Sequence, residues 1–283
     1  MGAVGSFGWH ARRARRQLRL RRAGDLPLPP VEMRELVGPT DDAAFDNSNG
    51  DPVLGELVPE DRYRKVFDFG CGCGRLARQL LQQRRRPRRY VGIDLHRGMI
   101  RWCKTQLEPV APGFEFHHHD VHNLGLNPRG EHSLWAPFPA ADDSFSLVLA
   151  HSVFTHLVEE QASPYLNEVA RVLEPGGTFA ATWFFCDRND YPMMQSFQNA
   201  LYINPVDPTN AVIFDRRWVV ESARELGLTV TAVTAPAIRG FHWQVLMTLD
   251  SRAEEAPFPG DEAPAGSLPP PVPGAGAEEI GLS

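Results

Sequence analysis

Cysteine is scarce in this chain: there are four in 283 residues, at Cys71, Cys73, Cys103 and Cys186. A chain of this length does not depend on so few thiols, so a disulfide framework is excluded and a reducing, cytoplasmic compartment is expected. Long apolar runs are absent too, and none approaches the ~20 residues that a membrane-spanning helix needs. The first two dozen residues hold arginines where a secretory peptide carries its apolar stretch, so export is not expected. No internal repeat is visible.

Acidic residues are missing from residues 1–24, which carry seven arginines (Arg12, Arg13, Arg15, Arg16, Arg19, Arg21 and Arg22). Residues 251–283 carry six acids and one arginine, and against a total charge of −6 this leaves the body between them at −8. A body that acidic argues against nucleic acid as a general partner. The chain therefore divides into an Arg-rich extension (1–28), a central domain (29–250) and a Pro-, Ala- and Glu-rich tail (251–283) whose composition is that of disordered sequence.

What is present centres on Val66-Phe67-Asp68-Phe69-Gly70-Cys71-Gly72-Cys73-Gly74-Arg75. A short apolar strand leads into glycines at alternate positions and then into a helix starting near Arg75. Glycine lets the backbone turn tightly and lie against a ligand, and the helix N-terminus favours an anionic group. No lysine follows these glycines, which excludes the P-loop, and a dinucleotide fingerprint fits only weakly, from Gly72 with Ala77 in its last position.

Downstream, strands and helices alternate: strand 64–69, helix 75–84, strand 90–94, helix 98–108, strand 114–118, strand 146–150, helix 159–173, strand 177–184, helix 216–226 and two closing strands. That alternation predicts an α/β fold with a parallel sheet wound on both faces. Asp94 falls at the carboxyl end of the second strand, where an acid accepts hydrogen bonds from a ribose diol.

The D-x-G-x-G-x-G pattern of Asp68, Gly70, Gly72 and Gly74, with Asp94, Asp120 and the Leu173-Glu174-Pro175-Gly176-Gly177 segment, resembles the class I methyltransferases. The likeness covers residues 63–185 well and 29–250 more loosely. It implies a doubly wound, mostly parallel seven-stranded sheet of Rossmann-like type with an antiparallel last strand, and S-adenosylmethionine as cofactor. It also implies that Asp68 lies near the methionine ammonium, that the three glycines and Asp94 with Leu95 pass along the methionine and ribose, and that Asp120 and Val121 meet the adenine. His151, at the end of the fourth strand, would lie beside the cofactor.

The segment Ser152-Val153-Phe154-Thr155-His156-Leu157 resembles the acceptor-facing loop of bacterial methyltransferases that act on small molecules, sugars and lipids. His156 is the candidate general base there. An aromatic- and Met-rich insertion at 183–215 reads as a cap over the acceptor, with Trp183, Phe184 and Tyr191 as candidate substrate contacts. The function expected is methyl transfer to a small-molecule acceptor, most simply a hydroxyl oxygen of a sugar or secondary metabolite. The alternatives are an RNA or protein methyltransferase docking through the Arg-rich extension, and a non-catalytic cofactor-binding or assembly protein. His117, His118, His119 and His122 invite a metal reading, but neighbouring strand residues face opposite sides, and no metal is expected.

Overall fold

The computed structural model describes residues 26–238 and 241–259, so most of the Arg-rich extension and most of the acidic tail lie outside the described residues. A short helix α1 (Val31–Val37) precedes the domain. There follow β1 (Lys65–Phe69), α2 (Arg75–Gln82), β2 (Arg89–Asp94), α3 (Arg97–Gln106), β3 (Phe114–His118), β4 (Phe145–Ala150), α4 (Glu159–Val172) and β5 (Leu173–Cys186). The chain then adds β6 (Ala200–Tyr202), β7 (Val212–Asp215), α5 (Arg216–Glu225), β8 (Thr229–Ile238) and β9 (His242–Thr248).

β3, β2, β1, β4 and β5 pair in parallel in that order. β9 runs antiparallel to both β5 and β8, so seven strands form a doubly wound sheet with an antiparallel last strand. The expected count of seven holds for this core, but the described residues form nine strands. β6 and β7 arise inside the insertion, and β7 pairs in parallel with Phe184–Cys186 of β5. β5 itself begins at Leu173 rather than Gly177, because the Pro-Gly-Gly turn is absorbed as an irregularity in its pairing with β4, with Gly176 at φ 73°.

Side-chain alternation along β1 splits the core. Phe67 and Phe69 join the cluster on one face with Phe154, Tyr165, Phe179 and Trp183, while Val66 joins Leu80, Tyr90 and Ile100 on the other. Six successive residues of β4 are buried, as expected for a central parallel strand covered on both sides. On α4, Ala162, Tyr165, Leu166, Val169 and Val172 present one buried stripe at helical spacing.

Residues 26–53 form a strap held by the polar side of α2. Arg78, only 4% exposed, donates to the carbonyls of Leu26, Pro27 and Phe45 and pairs with Asp46. Gln79 donates to Ala44 O, while the side-chain oxygens of Gln82 and Gln83 accept from Asn47 N and Val53 N. One guanidinium thus satisfies several buried acceptors that water does not reach. Arg78→Met is expected to leave them unpaired and lower unfolding free energy by about 2–4 kcal/mol. Urea denaturation of the two proteins measures this directly.

Candidate active site

The site lies at the carboxyl ends of the parallel strands, where open α/β sheets bind their ligands. Gly70, Gly72 and Gly74 all take positive φ, at 77°, 55° and 80°. The N–H groups of Gly70 and Cys71 both donate to Ile93 O, at 2.8 and 3.0 Å. Gly72 N donates to Asp94 Oδ2 at 2.8 Å, and His96 N to Asp94 Oδ1 at 2.7 Å. Asp94 therefore anchors the glycine loop while facing the cavity, and burial raises its carboxyl above the usual range.

Asp68 is fully buried, and its Oδ2 accepts the Tyr90 hydroxyl at 2.6 Å. Among the described residues its Oδ1 has no hydrogen-bond partner, although Asp68 lines the cavity. Burial, with the nearby Asp94 adding, pushes the carboxyl up to about 7 against the lowering effect of Tyr90. A buried acceptor oxygen without a donor is a place for a cationic group.

The cavity here measures about 1050 Å³, at the upper end of the ~300–1,000 Å³ usual for ligand pockets. Asp68, Gly70, Gly72, Asp94, Leu95, Val121, His151, His156 and Phe184 all line it, as expected from sequence. Four expected residues are not brought there. Gly74 faces α3, where an added Cβ would stand 2.6 Å from Leu107 Cδ1, so its role is helix packing. Asp120 turns aside to accept from Asn127 at 2.9 Å and to meet Arg97 at 3.6 Å, and the Asn127 bond leads in holding its carboxyl below the usual range. Trp183 is a core residue, 0% exposed and 4.3 Å from Phe154 between ring centres. Tyr191 stands 45% exposed and outside the lining.

The histidines divide as well. His118 Nε2 meets Leu95 O at 2.9 Å, and His119 Nε2 meets the Tyr165 hydroxyl at 2.7 Å. His117 pairs weakly with Glu115 at 3.5 Å, so the three side chains go to three different partners. Burial pushes His119 down to about 4, leaving it a neutral hydrogen-bonding wall. His156 sits in a short 3-10 turn with Nδ1 3.0 Å from Thr209 O. A carbonyl can only accept, so in the neutral imidazole Nδ1 carries the proton and the lone pair is on Nε2.

Two further cavity residues escaped the sequence reading. Ser152 holds φ 56°, its N–H donates to Thr182 Oγ1 at 2.7 Å, and its Oγ lies 3.3 Å from His242 Nε2. A non-glycine residue in that region costs energy that the surrounding bonds offset. No local pattern marks His242, which lies 90 residues away and reaches the site only through the pairing of β9 with β5. The strap also contributes: Glu35, Leu36 and Val37 of α1 line the cavity.

Residues 66–177 match the model of a methyltransferase domain family. A fatty-acid O-methyltransferase of Mycolicibacterium smegmatis is 34% identical over 119 residues, which is 42% of this chain and 36% of that protein. A phthiotriol/phenolphthiotriol dimycocerosates methyltransferase of Mycobacterium ulcerans is 32% identical over 117 residues, 40% of this chain and 35% of that one. The chain thus spans about a third of the length of the curated relatives it matches. Among solved structures, an O-methyltransferase family protein from Burkholderia thailandensis aligns with a TM-score of 0.47 and 18% identity, covering 78% of this chain and 58% of that one.

The likeness over residues 66–177 to a methyltransferase domain supports S-adenosylmethionine as the cofactor. The residues present fit that group: the partnerless Asp68 Oδ1 suits an ammonium, and Asp94 suits a ribose diol. Asp68 can pair with a cation only as a carboxylate, so affinity for S-adenosylmethionine is expected to rise as pH increases through about 7. Asp68→Asn keeps an acceptor for Tyr90 but should lose that rise and bind roughly tenfold or more weakly at pH 7.5. Calorimetric titration between about pH 6 and 7.5 reads both effects.

Proposed function

We propose that this protein transfers a methyl group from S-adenosylmethionine to a hydroxyl oxygen on a predominantly apolar small molecule. One observation carries the reading: His156, whose Nδ1 faces Thr209 O, shares its cavity with a group of large apolar side chains. Phe184, Phe185, Ile203, Ile213, Phe241 and Trp243 make up that group. They favour a lipid-like or secondary-metabolite acceptor over a sugar, whose many hydroxyls would lose hydrogen bonds against them.

When bound, the cofactor supplies an electrophilic methyl on a sulfonium. The chain's part is to hold donor and acceptor in line and to take the acceptor's proton. Asp68, the glycine loop and Asp94 orient the cofactor end. The apolar walls hold the acceptor and exclude water. His156 Nε2 accepts the hydroxyl proton as the oxygen–carbon bond forms and the carbon–sulfur bond breaks. The β6–β7 insertion, through Thr209, positions that histidine, which gives the cap a role in catalysis as well as in enclosure.

A carboxylate acceptor is the second reading, favoured by the likeness to a protein named for fatty-acid O-methylation. A carboxylate oxygen is already deprotonated and needs no base. The two readings separate in one experiment: methyl-labelled S-adenosylmethionine is offered with long-chain alcohols, hydroxylated lipids and long-chain acids. For a hydroxyl acceptor, His156→Ala is expected to lower kcat by about 10²–10⁴ with cofactor affinity unchanged. For a carboxylate, transfer to the acids should survive the substitution nearly intact. Transfer to none of these classes by a protein that binds the cofactor would overturn the apolar-acceptor reading.

A further inference from the structure

Four large apolar side chains stand where the cavity opens to solvent: Leu36, Leu126, Ile203 and Phe241, respectively 58%, 42%, 65% and 54% exposed. Each also lines the cavity, and each comes from a different segment: α1, the loop after β3, the β6–β7 turn and the residue before β9. Val206, 84% exposed, follows Ile203 in the same turn, and Leu124, 59% exposed, lies two residues before Leu126. Asn123 Nδ2 donates to Thr209 Oγ1 at 3.3 Å and so ties those two segments together.

Single exposed apolar residues are ordinary, but several arranged around the mouth of an apolar cavity mark a contact surface. The charge pattern says what kind. Residues 191–206 contain no charged side chain at all. Next to the rim residues in sequence stand two acids, Glu35 beside Leu36 and Asp207 beside Val206, one histidine, His242 beside Phe241, and no lysine or arginine. A rim whose apolar residues have no adjacent lysine or arginine and two adjacent acids is unsuited to an anionic surface and suited to insertion among neutral lipids.

We propose that this rim docks on the surface of a neutral phospholipid bilayer and draws the acceptor from it into the cavity. The inference rests on the reading that the acceptor is apolar, since such a molecule resides in lipid rather than in water. The acceptor's chain would then enter the cavity past Leu126, Ile203 and Phe241 of the rim.

The test is sedimentation of the full chain with phosphatidylcholine vesicles at about 0.1 M and about 1 M salt. It needs neither acceptor nor turnover, so its result is independent of whether methyl transfer is found. The expected result is partition that changes little with salt. In the double variant Leu124→Asp, Val206→Asp, at exposed rim positions outside the cavity lining, the partition coefficient should fall by about tenfold or more, while S-adenosylmethionine binds as in the parent. Binding confined to anionic vesicles and lost at high salt would overturn the proposal and point to Arg12–Arg22. A dimer in the absence of vesicles that the same substitutions dissociate would overturn it in favour of a second copy on the rim.

Discussion

The structure depends on how the backbone is pinned between β1 and β2. Two successive N–H groups, from Gly70 and Cys71, converge on the carbonyl of Ile93, and a third, from Gly72, reaches the carboxylate of Asp94. Only a chain that can take positive φ at alternate positions can aim its donors this way. The same turn delivers the chain into α2, with Gly74 as its left-handed N-cap, and opens the space beside Asp68 and Asp94. Substitution at any of these glycines would also meet packed neighbours: Val153 at Gly70, Val37 at Gly72, Leu107 at Gly74. The loop is therefore held from above by the strap and the acceptor segment, and from below by α3.

Burial then turns ordinary acids into selective ones. Asp68 lies on the same face of β1 as Val66, beneath the loop, where its Oδ2 accepts from Tyr90 and the Arg75 charge also favours its ionised form. A carboxylate kept short of one hydrogen bond in a dry place favours a cationic partner far more than an exposed one would. Asp94 differs because two backbone N–H groups already hold it, so it serves as a fixed acceptor. The two acids thus differ in hydrogen-bond supply: two backbone donors for Asp94, one hydroxyl for Asp68.

The opposite side of the cavity is assembled differently. β5 pairs with β9 as far as Trp183 and, beyond that residue, with β7, and this change of partner brings the insertion and the start of β9 to one place. Thr209 from the insertion, His156 from the 3-10 turn after β4 and His242 from β9 meet there with Ser152. No helix among the described residues is long and apolar enough to cross a membrane. The apolar surface that is exposed gathers instead in part at the mouth of this compartment.

The sequence by itself determined the alternating α/β order, the seven strands of the core and which residues meet beside the glycine loop, because these rest on local periodicity and on residues clustered within one turn. Helix and strand periods are read over ten residues, and Asp68, Gly70, Gly72 and Asp94 owe their places to strand ends that such periods reveal. Tertiary structure alone decided the rest. Whether Trp183 faces the core or the acceptor turns on the sheet face it occupies, and an aromatic-rich run of residues does not reveal that. Asp120 looked like a ligand at a strand end until Asn127, seven residues on, took its carboxylate. Tyr191 shares an insertion with lining residues but lies outside the lining, because a long insertion has no repeating period to orient it. The pairing of Ser152 with His242 spans 90 residues and exists only because β9 inserts beside β5. Contacts of that range are set by which strands pair, and pairing is decided by the whole core rather than by any stretch of the chain.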